Sequence, residues 1–269
     1  MLVDERMVAE ARVGTANLCA PSSDCHTNVR VLAVARAPSA VVVQVSWQMA
    51  QMSETESLDD HACPLCGAHA LSPLLRDAGR RFFRCSRCDL VSVHPADRPT
   101  RSEEAQRYLA HENDRADDGY VRFLRRLADP ICAVVPFGAH GIDVGCGPAP
   151  VLAELLTQGG RPTMSYDPLF FPRGELLNDT YDFVTCCEVV EHAHDPAGLF
   201  ALLAGLIRSG GTIAVMTSLH DATTQFETWW YARDITHVCF FSARTMSWIG
   251  GRFGLEFELA APTVVLFRG

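Results

Sequence analysis

The chain contains no lysine: all 23 of its basic residues are arginines. This excludes a Schiff-base lysine and the lysine of a phosphate-binding loop. No apolar run reaches the ~18 residues of a membrane span, and the nearest candidate, residues 31–45, is interrupted by Arg36 and Pro38. A basic and then apolar signal sequence is also missing, since the chain opens with Asp4 and Glu5. We therefore expect a soluble, cytoplasmic protein that has no membrane partner.

The acidic balance of the chain limits its partners. The formal net charge is −9 at pH 7, which argues against a nucleic-acid binder whose whole surface is basic. The balance is locally reversed between residues 61 and 101, where seven arginines accompany three aspartates. With 269 residues, 48% of them hydrophobic, the chain has room for one α/β domain and a smaller module. The sequence leaves the oligomeric state open.

Composition and periodicity divide the chain into four segments. The first has no helical or strand period, and Met49 or Met52 is a natural start for the folded protein, which would make this leader an upstream extension of the reading frame. In the third, Tyr120 and Phe123 have helical spacing, and Pro130 is predicted to end that helix. The expected segments are a poorly ordered leader (1–58), a cysteine-bearing module (59–100), a helical connector (101–137) and an α/β domain (138–269).

The last segment alternates strands and helices, which predicts a Rossmann-like parallel sheet. Strand two is expected at 163–167 and a fully apolar strand at 181–190. Only about a dozen residues separate these strands, too few for an inserted strand and helix, so this part of the sheet is predicted to be abridged. A helix is expected to begin at Asp195 and to end at Gly210-Gly211. Two closing strands joined by a tight turn at Ala260-Ala261 must be antiparallel.

A strand, a glycine turn and a helix follow one another at residues 141–156. Such a unit turns backbone N–H groups and a helix N-terminus toward a ligand. Pro150 occupies the sixth position of a dinucleotide fingerprint, and a carboxylate at Asp143 would repel a pyrophosphate. Asp143 suits a cationic ligand such as S-adenosylmethionine, and Asp167, about 20 residues past the glycines, can accept both ribose hydroxyls.

The stretch DVGCGPA resembles the acidic-x-Gly-x-Gly motif of the class I S-adenosylmethionine-dependent methyltransferases. The ribose acid and the sequence YDFVTCCEVVEHAHDP are similar as well, and the resemblance covers roughly residues 139–269. Ala149 departs from it, since the family usually has a third glycine there. The resemblance implies that the cofactor-binding residues are Asp143, Gly145, Cys146, Gly147, Asp167 and Glu188; the residues around the adenine stay unassigned.

Two Cys-x-x-Cys pairs precede the α/β domain, with 18 residues between them. Each pair aims two sulfurs at one point, so together they can form a tetrahedral S₄ site suited to Zn²⁺. Four thiolates leave no open position, so the predicted zinc is structural. The module is similar to the zinc ribbon that precedes the methyltransferase domain in certain bacterial enzymes, including sugar C-methyltransferases. The predicted ligands are Cys63, Cys66, Cys85 and Cys88.

Two histidine-bearing loops are expected at the carboxyl edge of the sheet, where open α/β folds bind ligands. Methyl transfer to a neutral acceptor needs proton removal, and histidine is the natural base. We expect His237 to serve as that base, paired with Asp234 or Glu191, with His194 as the next candidate. His192 is expected only to cap its loop, and a metal site on the histidines is the less favoured interpretation.

The predicted function is methyl transfer from S-adenosylmethionine to a small-molecule acceptor, such as a sugar or a natural-product or quinone-type intermediate. One alternative is an RNA or protein methyltransferase that uses the ribbon to bind its substrate, which would give binding a steep salt dependence. Another is a non-catalytic protein that binds S-adenosylmethionine. A nicotinamide dehydrogenase is a third alternative, which Pro150 and Asp143 disfavour.

Overall fold

The structure is a computed structural model that describes residues 61–109 and 117–269. The predicted leader, residues 1–58, lies outside the described residues. In chain order the strands are β1 (Leu71–Asp77), β2 (Arg80–Cys85), β3 (Val91–Val93), β4 (Gly141–Val144), β5 (Thr163–Tyr166), β6 (Tyr181–Cys187), β7 (Ile207–Met216), β8 (Leu219–His220), β9 (Cys239–Ser242), β10 (Glu256–Ala261) and β11 (Val264–Arg268). The α-helices are α1 (Arg101–Leu109), α2 (Asp118–Val134), α3 (Val151–Gln158), α4 (Pro196–Leu206) and α5 (Ala243–Phe253). Within these ranges no helix has both the length and the apolar character that crossing a membrane requires.

Six strands form the larger sheet, in the order β10-β11-β7-β6-β4-β5. Strands β5, β4, β6 and β7 are parallel, whereas β11 and β10 form an antiparallel hairpin at one edge. This arrangement confirms the predicted parallel sheet with its closing hairpin. The link from β5 to β6 contains a 3-10 turn (Gly174–Asn178) and adds no strand to the sheet in the part of the chain that is described. The sheet is therefore abridged, as predicted.

Both faces of the larger sheet are covered. One face packs α2 and α3 through buried aliphatic side chains such as Leu127, Ile131 and Leu156. The other face shares a continuous apolar core with α4, α5 and the cysteine-bearing module, in which Phe82 and Phe240 are buried. A parallel sheet that is buried on both faces requires mostly apolar strands, which explains the predominantly apolar sequence of β6.

A second, smaller sheet joins distant parts of the chain. Its order is β1-β2-β3-β9-β8, so the hairpin of the cysteine-bearing module is extended by two strands from the C-terminal segment. Strand β3 pairs antiparallel with β9 through Val91 and Phe240. The segment boundaries at 59–100, 101–137 and 138–269 remain predictions, but the first and last of these segments share the smaller sheet and one apolar core.

Helix α2 continues through Pro130 to Val134, so the prediction that this proline ends the helix is wrong. A proline inside a helix removes one hydrogen bond, the one to the carbonyl four residues earlier. Here that carbonyl belongs to Arg126, which is exposed, and water can satisfy it. The buried stripe of Leu124, Leu127 and Ile131 continues past the proline, so tertiary packing outweighs the local break.

Two further boundaries differ from those predicted. Helix α4 ends at Leu206, and Ile207 already pairs with Tyr181 in the sheet, with a register shift before Phe183 that absorbs the extra residues. The closing hairpin turns at residues 262–263, and Ala261 still pairs with Val264. Proline at position 262 favours the turn because it lacks an N–H for the ladder and has a fixed φ.

Replacing Gly141 by alanine is expected to lower the free energy of unfolding by about 1–3 kcal/mol. A Cβ at Gly141, the first residue of β4, would lie 2.2 Å from the Phe183 ring, which is fully buried and has no room to withdraw. Chemical denaturation measures the effect, and the double variant with Phe183→Leu is expected to recover part of it. The matched control is Gly251→Ala, where nothing lies within 4 Å. Equal stabilities of the two single variants would refute the prediction.

Candidate functional site

The turn that follows β4 depends on glycine. Gly145 and Gly147 have φ angles of +80° and +67°, which residues with a Cβ rarely adopt. A Cβ at Gly145 would also lie 2.5 Å from Cγ2 of Val189. Helix α3 begins after Pro150 without a side-chain cap, so no side chain of the cap position stands between its N-terminus and a ligand. The turn thus presents a bare backbone surface at the carboxyl edge of the sheet.

Asp143 is a buried acid directly below this turn. It is 2% exposed, and its Oδ1 accepts a hydrogen bond of 2.7 Å from the Thr185 hydroxyl. Burial, with a smaller contribution from the nearby charge of Asp167, raises the pKa of Asp143 to about 7. A cationic ligand above the turn would favour the ionised form. The surroundings of Asp143 therefore suit a cationic partner.

Asp167 follows β5 and contacts the same turn. Its Oδ2 accepts a 3.1 Å hydrogen bond from the Gly147 N–H, and its Oδ1 accepts bonds from the N–H groups of Leu169 and Phe170. Cys146, between the two glycines, is buried, and burial raises the pKa of its thiol to about 12. The structure thus brings Asp143, the glycine turn and Asp167 together as the sequence predicted. Cys146 lies in the same turn, and its thiol is unreactive.

A pair of acids lies in the loop that follows β6. Glu188 has a φ of +51°, a conformation that is costly for a residue with a side chain, and accepts a 3.3 Å hydrogen bond from the Tyr231 hydroxyl. Glu191 is fully buried, and its Oε2 accepts a 3.1 Å bond from the Thr217 hydroxyl. Burial raises the pKa of both carboxyls, and the charge of Glu191 raises that of Glu188 further.

His192 and His237 lie next to this acid pair. Their ring centroids are 4.7 Å apart, with the planes at 71°. Nδ1 of His237 lies 2.7 Å from the carbonyl oxygen of Tyr231, and Nδ1 of His192 lies 3.0 Å from that of Thr236. A carbonyl only accepts, so each Nδ1 carries the hydrogen and each Nε2 keeps a lone pair. Burial, followed by the proximity of His192, lowers the pKa of His237 to about 4.

The other two predicted catalytic residues lie at the border of this cluster. The Asp234 carboxylate accepts bonds from the hydroxyl and N–H of Thr236 and from Arg107. Burial alone would raise the pKa of Asp234, but these hydrogen-bond donors outweigh burial and lower the pKa. Nδ1 of His237 therefore bonds to a carbonyl and not to Asp234, which differs from the predicted pairing. His194 is exposed and bonds to Glu104 at 2.8 Å.

Three residues that the sequence analysis did not single out belong to the site. Thr185 and Thr217 hold the buried acids, and Tyr108 of α1 places its ring 5.4 Å from that of His192. Thr185 lies near the carboxyl end of β6 and Thr217 directly follows β7. The sequence could have indicated these threonines only by their positions at the ends of predicted strands. For Tyr108 no local pattern pointed to the site.

The four predicted zinc ligands converge. The sulfurs of Cys63 and Cys88 lie 3.6 Å apart, and those of Cys66 and Cys85 lie 3.5 Å apart. One donor atom from each cysteine falls within 4.8 Å of all the others. Four sulfurs bound to one Zn²⁺ at about 2.3 Å are separated by about 3.8 Å in a tetrahedron. The cluster has the donors and the spacing of a structural zinc site.

The two cysteine turns are built alike. In each, the residue after the second cysteine has a left-handed backbone, with φ +68° at Gly67 and +66° at Asp89. An aspartate tolerates this conformation better than most residues, and here its side chain is held. The Asp89 carboxylate accepts bonds from Arg84 at 2.8 Å and from Ser242 at 2.6 Å. Ser242 caps α5, so the second cysteine turn is tied to the α/β segment.

Curated relatives match part of the chain. The "Ubiquinone biosynthesis O-methyltransferase" of Aeromonas salmonicida (strain A449) is 30% identical over 104 residues, which are 30% of this chain and 44% of that protein. The protein of the same name from Sodalis glossinidius (strain morsitans) is 29% identical over 104 residues, or 30% of this chain and 42% of that protein. The chain thus spans less than half the length of these relatives.

Solved structures are similar at low identity. A Burkholderia thailandensis 1,6-didemethyltoxoflavin-N1-methyltransferase aligns with 14% identity and a TM-score of 0.46, covering 73% of this chain and 98% of its own. Magnesium protoporphyrin IX methyltransferase from Synechocystis PCC 6803 aligns with 15% identity and a TM-score of 0.39, covering 63% and 91%. Residues 106–259, more than half of the chain, match the family described as "Methyltransferase domain". The chain therefore belongs to the methyltransferase domain family.

Proposed function

We propose that this chain transfers the methyl group of S-adenosylmethionine to an oxygen atom of a small-molecule acceptor. The observation that carries the proposal is the pair of acids at the ends of β4 and β5, Asp143 and Asp167, on either side of the open glycine turn. Membership of the methyltransferase domain family supports the reaction. The oxygen acceptor is supported by relatives that are named O-methyltransferases.

The donor-site residues fit S-adenosylmethionine by their chemistry. The buried carboxyl of Asp143 favours a cationic group nearby, which the sulfonium and ammonium of that molecule provide. Asp167 would exchange its bonds with backbone N–H groups for bonds with the ribose hydroxyls. When bound, S-adenosylmethionine supplies an electrophilic methyl group. The chain's own task is to hold the acceptor in line with it and to exclude water.

His237 supplies a proton acceptor beside the acid pair. Its lowered pKa keeps the imidazole neutral near pH 7, and the bond from Nδ1 to the Tyr231 carbonyl leaves the Nε2 lone pair free. A neutral imidazole can take the proton of an acceptor hydroxyl as the new bond forms. A pKa of about 4 makes it a weak base, so another factor must lower the proton affinity of the acceptor.

Replacing Asp167 by alanine is expected to weaken binding of S-adenosylhomocysteine by about 10–100-fold, because hydrogen bonds to a charged group are each worth about 1.5–3 kcal/mol. Isothermal titration calorimetry measures this change. The control is Asp182→Ala, at the opposite end of β6, where the carboxylate pairs with Arg208; its dissociation constant is expected to equal that of the wild type. Equal binding by all three proteins would contradict the assignment of the ribose acid.

The function itself is tested with methyl-labelled S-adenosylmethionine. We expect label to appear in a low-molecular-weight product when the protein is incubated with a bacterial metabolite extract. Label in RNA or protein would overturn the small-molecule acceptor. Failure to bind S-adenosylmethionine or S-adenosylhomocysteine at millimolar concentration would overturn the proposal as a whole.

We also propose that the cysteine cluster holds one structural Zn²⁺.

A further inference from the structure

Three potential metal ligands converge beside the acid pair, far in sequence from the cysteine cluster. Glu191, His192 and His237 each contribute one donor atom, and these atoms lie within 4.8 Å of one another. Glu191 and His192 follow β6, and His237 precedes β9. The Val238 N–H donates a 2.8 Å hydrogen bond to the Glu191 carbonyl, which holds the two segments together. Two imidazoles and one carboxylate with open positions form a recurrent ligand set for catalytic divalent metals.

The hydrogen bonds of both histidines prepare them for a metal ion. Metal-ligating histidines almost always donate their other ring N–H to a carbonyl or carboxylate, which fixes the tautomer and the ring orientation. Nδ1 of His192 faces the Thr236 carbonyl at 3.0 Å, and Nδ1 of His237 faces the Tyr231 carbonyl at 2.7 Å. Both Nε2 atoms therefore keep lone pairs. A single buried imidazole bonded in this way is common in a protein core. Two such imidazoles in contact with each other and beside a carboxylate indicate a metal-binding site.

Glu191 provides an independent indication. Its side chain is fully buried, and while Oε2 accepts a bond from Thr217, Oε1 has no hydrogen-bond partner. An unpaired carboxylate oxygen in a protein interior is costly. Oε1 lies 4.0 Å from Nε2 of His192, so it faces the histidine pair. A cation between them would satisfy an atom that the described residues leave unsatisfied.

The local charge also favours a cation. Glu188 is near Glu191, and the Tyr231 hydroxyl interacts with both carboxyls. Two carboxylates buried together repel each other unless one of them is protonated or a positive charge lies close by. The residue that follows Glu188, Val189, lies directly against Gly145 of the glycine turn. The ligand cluster is thus next to the donor site, where the acceptor must bind.

We propose that Glu191, His192 and His237 bind a divalent metal ion, such as Mn²⁺, Fe²⁺, Co²⁺ or Zn²⁺, whose open positions take the acceptor oxygen. Donor atoms around one ion lie about 3.0–3.5 Å apart, so the cluster must close by about 1 Å on binding. Nitrogen and oxygen donors distinguish this site from the all-sulfur cysteine cluster, which suits zinc.

The role of the metal in catalysis rests on the proposed function, whereas metal binding does not. With its Nε2 bound to the ion, His237 holds the metal and does not itself take the proton. A hydroxyl bound to a divalent ion loses its proton more readily, and the proton passes to solvent water. The oxygen then forms a bond to the methyl carbon. The bond from that carbon to sulfur breaks with its electron pair remaining on sulfur, which leaves S-adenosylhomocysteine.

Mn²⁺ binding to the full chain tests the site. The protein is purified with the cysteine cluster loaded with zinc, washed with a mild chelator and titrated with Mn²⁺, and the free ion is followed by electron paramagnetic resonance. One Mn²⁺ per chain is expected. Glu191→Gln and His237→Ala are expected to weaken binding by at least about 10-fold. The matched control is His140→Ala, an exposed histidine at the opposite end of β4, which should bind as the wild type does.

Each outcome decides one proposal. If neither Mn²⁺ nor Co²⁺ binds at millimolar concentration, or if the variants bind as well as the wild type, the metal site is overturned. Glu191→Gln keeps the side-chain shape, and its zinc content and thermal unfolding show whether it folds. If S-adenosylhomocysteine binds but Mn²⁺ does not, only the metal proposal fails. If Mn²⁺ binds but S-adenosylhomocysteine does not, the proposed function fails and the metal site stands. Full turnover by metal-stripped protein would refute the catalytic role.

Discussion

Replacing Cys88 by serine is expected to abolish the binding of one zinc ion per chain and to lower the free energy of unfolding by at least about 4 kcal/mol, because structural zinc contributes folding energy directly. The four sulfurs already lie close together, at 3.6 Å and 3.5 Å within the two close pairs and within 4.8 Å overall. Loss of one thiolate leaves three sulfurs without their ion. Zinc content by mass spectrometry and denaturant unfolding measure the two effects.

Cys88→Ser is also expected to disturb the candidate functional site, which is connected to the cysteine cluster. The residue that follows Cys88, Asp89, bonds to Ser242 at the start of α5, and β3 pairs with β9, which begins two residues after His237. Methyl transfer should therefore fall together with zinc content. The control is Cys132→Ser in α2, outside the cluster, which is expected to keep both. Less than a tenth of a zinc per chain in the wild type would refute the structural zinc.

Replacing Gly145 by alanine is expected to reduce binding of S-adenosylhomocysteine by at least about 100-fold, which corresponds to about 3 kcal/mol. The alanine would have to adopt a φ of +80°, and its Cβ would lie 2.5 Å from Val189. Relief of this overlap moves either the glycine turn or the loop that carries Glu188. Both movements disturb the donor site. Calorimetry with S-adenosylhomocysteine measures the loss.

A second glycine, Gly254, provides a control that separates the effect of backbone strain from the effect of steric overlap at Gly145. Gly254 follows α5 with a φ of +69°, and a Cβ added there would meet nothing within 4 Å, so Gly254→Ala carries similar backbone strain without the overlap. We expect it to lose about 1–2 kcal/mol of stability and to bind S-adenosylhomocysteine as the wild type does. If Gly145→Ala bound equally well, the glycine turn could not be the surface that holds the donor.

The parts of the fold that the sequence predicted are those encoded by local patterns. The glycine turn with Asp143, the apolar run of β6 and the spacing of the cysteine pairs each identify a feature within a few residues. The abridged sheet followed from counting residues between two strands. Asp167 lies beside Gly147 as expected, at 3.1 Å, because adjacent parallel strands end at the same edge.

What the sequence could not predict depends on contacts between distant residues. Pro130 stays inside α2 because buried neighbours on both sides hold the helix. The partner of His237 is a backbone carbonyl, which has no signature in the side-chain sequence. The metal interpretation of the histidines was the less favoured one for the same reason: the unpartnered oxygen of Glu191 and its position beside both histidines become visible only when the segments after β6 and before β9 are seen together.

The smaller sheet has a consequence for the order in which the protein folds during synthesis. Strand β3 ends at Val93, yet its partner β9 begins at Cys239, so the ribosome must make nearly the whole chain before that edge is covered. At ordinary elongation rates this delay lasts roughly 7–30 s. Early metal loading would hold β1, β2 and β3 in shape while the edge of β3 waits for a partner strand that is translated much later.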